Sequence, residues 1–155
     1  MEAHVQKDVT VLSDEGQYKP WPNDDEALEI AIQTSHFSGF HFVKDQNDTL
    51  LYIGESSDLG ERLESHNGDT YISTLRRSIG TDILGFSLRE IKGKWRYFSE
   101  DENEEVTKFL KTCKWVALPG SSEKSERVRL KEELIEKYNP RLNKKGKRKT
   151  IEEKS

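Results

Sequence analysis

The chain has 155 residues, 32% of them hydrophobic and 35% charged, with 25 Lys plus Arg against 29 Asp plus Glu and a net charge of -4. At a mean hydropathy of -0.89 this is one domain's worth of chain around one small core, with no room for a second domain. The single cysteine, Cys113, excludes an internal disulfide framework and a multi-cysteine zinc site, and no apolar run approaches the roughly 18 residues of a membrane span, so a cytoplasmic protein is expected.

Residues 1–35 carry eight acids against Lys7 and Lys19, a balance of -6. Up to Pro22 they show little periodicity, which predicts an irregular acidic arm with Tyr18 and Trp21 against the core. Asn23 is placed to cap a helix running to residue 34, with acids in its first turn and Leu28, Ala31 and Ile32 as the inward stripe. The runs 39–44 and 49–54 flank the polar turn DQND and predict a β-hairpin. Ser57 can cap a helix from Asp58 to His66, stopped by Asn67-Gly68. A second helix is expected over 70–79, carrying Arg76 and Arg77. The stretch 81–98 stays open between helix and strand, with WRYF as a short extended piece. Ser99 followed by EDENEE opens a helix to Thr112, CKWVAL at 113–118 reads as a strand, and a last helix runs from Ser122 to Tyr138, with Val128, Leu134, Ile135 and Tyr138 inward. It ends before Asn139-Pro140. Residues 141–149 then hold six cations and no acid, a balance of +6, which suits either a solvated tail or a phosphate-binding one.

This order of elements, and the residues on them, resemble the GIY-YIG nuclease domain. GFH at 39–41 stands at the first signature and LYIG at 51–54 at the second. Arg62 lies ten residues past Tyr52, at the family's helix arginine, and His66 four further on; YNPRLN at 138–143 matches the C-terminal motif, ending on Asn143. The expected fold is α/β (α+β), a small three-stranded antiparallel sheet flanked by helices. The expected divisions are 1–35 as acidic arm and helix, 36–143 as nuclease-like domain and 144–155 as basic tail.

The resemblance implies a metal-dependent endonuclease hydrolysing phosphodiester bonds, with Mg2+ or Mn2+ as cofactor and nucleic acid, DNA ahead of RNA, as substrate. It also implies that Tyr52 positions or deprotonates water and that Arg62 holds the scissile phosphate. His66, His41 and Asn143 complete the expected catalytic set, an imidazole near pKa 6.5 being able to serve in either protonation state. Without the resemblance, Tyr52 reads as a packing residue, Arg62 and His66 as a wet helix face and Asn143 as a turn bridge. Two departures stand out. His41 takes the place of the first-signature tyrosine, and the position of the metal-binding glutamate falls on Lys131, which cannot bind magnesium. Glu132, one residue on, is then the expected metal ligand after a register shift; Glu55 is expected to pair with Lys131 across the cleft or to bind the metal itself. Arg76, Arg77, Lys144, Lys145, Lys147 and Arg148 are the expected phosphate contacts, with Trp95, Tyr97 and Phe98 as stacking or core residues. The acidic arm suits a protein partner. The competing readings are a catalytically silent GIY-YIG-like module that binds nucleic acid or protein, and an unrelated small α/β protein.

Overall fold

The computed structural model describes residues 18–68 and 73–143. Its sheet contains β1 (Lys19–Pro20), β2 (Gly39–Lys44), β3 (Leu50–Ser56) and β6 (Lys114–Pro119), in the order β1-β6-β2-β3 with every pair antiparallel. The three expected strands are present, and the two-residue β1 extends them at one edge. Alternation along the central β2 sends Phe40 and Phe42 to one face and His41 and Val43 to the other, and all four are buried. On the first face they meet Ile53, Val116, Leu118 and Leu134, the last from α5 (Lys124–Tyr138). On the second, Val43, Tyr52 and Trp115 pack with Leu63 of α2 (Leu59–Gly68), Leu75 of α3 (Thr74–Ser78) and Val106 and Leu110 of α4 (Glu100–Lys111). A sheet covered on both faces explains why β2 reads as an unbroken apolar run.

The helix starts follow from local chemistry. Asn23 and Ser99 each form a capping box, with Glu26 and Glu102, for α1 (Asp24–Gln33) and α4. The cap of α2 is Asp58, not Ser57: its carboxylate accepts from Glu61 N at 3.0 Å and its carbonyl from Arg62 N at 3.1 Å. The inward stripe of α1 also differs from expectation. Ala27 and Ala31 are buried, while Leu28 and Ile32 are 55% and 68% exposed. The reason is close approach: a side chain on Gly60 of α2 would collide with the Ala31 carbonyl, so the two helices touch along a line that admits only small residues. Trp21 Nε1 and Asp24 both bond to Asn67, tying the start of α1 to the end of α2.

The open stretch 81–98 resolves as a π-helical turn (Ile79–Ile83) followed by a separate hairpin of β4 (Arg89–Ile91) and β5 (Lys94–Tyr97). Lys92 and Gly93 at its tip have φ of 53° and 80°, the two left-handed residues that a tight hairpin turn requires. Trp95 is 63% exposed, so it is not core, whereas Phe98 packs on Phe86 and against Gly80. Residues 141–143 run along the outer edge of β3: Leu142 N donates to Leu51 O at 2.8 Å and Arg141 N to Leu50 O at 3.3 Å, covering an otherwise open strand edge. Among the described residues no helix is long and apolar enough to cross a membrane.

Candidate active site

In the middle of β3 the chain has Tyr-Ile-Gly, and period two puts Tyr52 and Gly54 on the same face. A Cβ on Gly54 would lie 2.8 Å from Tyr52 Cε2, so the glycine gives the phenol ring its place. The hydroxyl meets the guanidinium of Arg62, on the first turns of α2, in a hydrogen bond. These two side chains, with Glu55, Thr74, Lys131 and Asn143, line a cavity of about 200 Å³. Four elements, β3, α2, α3 and α5, and the segment that follows α5 therefore bring polar groups to one cavity. Tyr52 and Arg62 meet as expected, and Thr74 is a wall residue that no sequence signal announced.

Burial sets the protonation of this region. Desolvation raises the Tyr52 phenol above its ordinary 10, against the opposing pull of Arg62 and Arg77, so the group is a neutral phenol at pH 7. His41 and His66 lie behind Tyr52 instead of lining the cavity, and each ring stands edge-on to neighbouring rings 5.7 to 6.0 Å away. Burial, aided by Arg62, pushes His41 down to about 4. Burial, then the neighbouring charges, holds His66 well below 6.5. Both are neutral at pH 7, which corrects the expectation that either protonation state is open to them. His66 Nδ1 lies 2.7 Å from Ser73 Oγ and its buried Nε2 has no partner.

Asn143 occupies the cavity wall as a clamp: Oδ1 accepts from Ile53 N at 2.7 Å and Nδ2 donates to Ile53 O at 2.8 Å. Its amide is committed to the backbone beside Tyr52, so it is a positioning residue. Arg76 is a firmer correction. It is fully buried, with Nη1 on His66 O at 3.2 Å and Nη2 on Asn103 O, Asn103 Oδ1 and Thr107 Oγ1 at 2.8 to 3.0 Å. It braces α2 and α4 from within and has no surface to offer a phosphate. Arg77 is half-buried, bonds Thr74 and lies close enough to Tyr52 to act on its ionisation. Lys144, Lys145, Lys147 and Arg148 lie outside the described residues.

The expected metal ligand is also corrected. Arg127 and Leu134 are buried on α5, and a helical stripe through them passes over Lys131 and leaves Glu132 about 100° away. Glu132 is exposed and Lys131 half-buried at the cavity. Glu55, the one acid among the lining residues, has its ion pair with Arg127, Oε1 to Nε at 3.0 Å, and Arg127 also donates to Ser121 O. Arg127 was not among the expected site residues; its position four before Lys131, on the same helix face, was the available signal. Among the described residues no three His, Cys, Asp or Glu side chains converge. A hard divalent ion wants several oxygen ligands with carboxylates among them, whereas two cations face this cavity and its one carboxylate is held by a third. The residues do not fit the magnesium or manganese that the resemblance implies. Cys113 is buried, its thiol pushed up by burial to about 12, which makes it inert.

No curated protein matches the chain. The model of the GIY-YIG catalytic domain does, from residue 16 to residue 155, and the protein belongs to the GIY-YIG family of nucleases.

Proposed function

We propose that the protein is an endonuclease that hydrolyses phosphodiester bonds of nucleic acid, DNA ahead of RNA, at the cavity between Tyr52 and Arg62, in a setting of repair, restriction, mobile-element movement or phage defence. The observation that carries this reading is the Tyr52–Arg62 hydrogen bond at the wall of a small cationic pocket. Arg62 holds a non-bridging phosphate oxygen, where negative charge grows as the phosphorus is attacked. Tyr52 accepts from Arg62, which leaves its own hydroxyl proton to orient the attacking water or a phosphate oxygen; acting as base requires the phenolate, which burial makes scarce at neutral pH. Arg77 adds positive charge near Tyr52. The exposed β4–β5 hairpin, with Trp95 among Arg89, Lys92, Lys94 and Arg96, supports a nucleic-acid substrate through stacking and phosphate contact.

Members of the family are generally divalent-metal dependent, and the donor set here departs from that pattern at Lys131. The departure favours a second reading, a domain that binds nucleic acid without cutting it. Supercoiled plasmid and a branched DNA, incubated with the protein in Mg2+, Mn2+ or EDTA, separate the two. The first reading predicts nicking that Tyr52→Phe and Arg62→Ala both abolish. Salt-sensitive binding with no cleavage in any condition supports the second.

A further inference from the structure

The inward face of α5 carries a lysine where the family has a glutamate. Lysines seldom turn toward a folded body, yet Lys131 lies on the stripe between the buried Arg127 and Leu134 and is half-buried at the cavity, while its neighbours Glu132 and Glu133 are exposed. Arg62, from α2, lines the same cavity. The one acid in the lining, Glu55, is paired with the buried Arg127, so the wall as a whole presents positive charge. At about 200 Å³ the cavity is smaller than the roughly 300 Å³ at which drug-sized ligands begin; it takes one phosphate group, not a nucleoside.

We propose that Lys131 supplies here the positive charge that a divalent cation supplies elsewhere in the family, so that the cavity binds a nucleic-acid phosphate between Lys131 and Arg62 without metal. This rests on the reading of the cavity as the phosphate site. Lys131 and Arg62 are the two basic side chains that line the cavity, and Thr74 Oγ1 and Tyr52 Oη add neutral donors. A divalent ion gains little at such a site, because the two basic side chains in its lining repel it and the one carboxylate there is already paired with Arg127.

The test is fluorescence anisotropy of a labelled branched DNA with the wild type, Lys131→Ala, Lys131→Glu and Arg62→Ala, each in EDTA and in Mg2+, after thermal melts confirm folding. Wild type is expected to bind equally, within about twofold, in the two conditions. Lys131→Ala is expected to weaken binding about tenfold in both, the size of one charge-assisted hydrogen bond. Lys131→Glu, which restores the carboxylate, is expected to bind poorly in EDTA and to recover in Mg2+. Wild-type binding that is lost in EDTA and restored by Mg2+ overturns the proposal, as does Lys131→Ala binding like wild type. Arg62→Ala separates the two levels. If it loses affinity while Lys131→Ala does not, the phosphate site stands and the role of Lys131 falls; if neither loses affinity, or wild type does not bind, the reading of the cavity falls as well.

Discussion

His41 and His66 are neutral rings in the folded core, while in the unfolded chain each takes up a proton near pH 6.5. The unfolded state therefore binds more protons below that pH, and stability falls as the solution is acidified from about 6.5 toward the folded-state value, about 4 for His41. Each histidine contributes about 1.4 kcal/mol per pH unit once the unfolded ring is fully protonated. Urea midpoints taken from pH 7 to 5, above the range where Asp48 and Asp58 titrate, should fall steadily, and His41→Phe should remove about half the slope. Tyr52 yields a second prediction at this scale. Its phenol ionises above 10 because burial outweighs Arg62; in an ultraviolet difference titration, Arg62→Ala should raise it further, and Tyr52→Phe should delete that step. Tyr52 could be found from sequence because it sits in LYIG, and Arg62 because it stands ten residues beyond it on the next helix. That the histidines lie behind the cavity could not, since imidazole in a strand or on a helix carries no local mark of its depth.

Helices and strands here are joined by a few buried polar struts. Arg76 links His66 O to Asn103 and Thr107, and its loss leaves several buried acceptors unmet. Arg76→Met should cost about 3 kcal/mol of stability, read by urea unfolding, without altering DNA affinity of the folded fraction; Arg77→Ala should do the reverse. Asn143 and Leu142 seal β3 from 90 residues away in sequence. Asn143→Ala strands both Ile53 backbone groups and should cost about 2 kcal/mol, with Tyr52 losing its support. Gly60→Ala should force α1 from α2 and cost about 2 kcal/mol as overpacking. Most element types were readable from period, caps and turns: the helix starts at Asn23 and Ser99, the hairpin around DQND, and the apolar runs of β2 and β6. The β4–β5 hairpin stayed open because REI and KWRY are short and no apolar face shows which side would be covered. The inward face of α1 was misread because its partner surface is the backbone of Gly60, and a bulky stripe such as Leu28 and Ile32 has no space there.

For the molecule as a whole, the net charge of -4 says little about nucleic-acid affinity, because the two signs are separated along the chain. Binding should weaken steeply with salt, and truncation after Asn143 should shallow the log–log slope by up to about 0.9 for each tail cation that had met a phosphate; an unchanged slope would mean that the tail makes no such contact. Sequence alone determined the family and the order of most helices and of the three main strands, because short signatures, helix caps and apolar runs carry these, and it pointed to Tyr52 and Arg62 by their spacing. Tertiary structure decided the charge of the cavity. Glu55 meets Arg127 across 72 residues, Lys131 takes the inward stripe of α5 in place of Glu132, and Arg76 disappears into the core. Those outcomes depend on which surfaces cover one another, and burial, unlike helical or strand period, is a property of the packed whole.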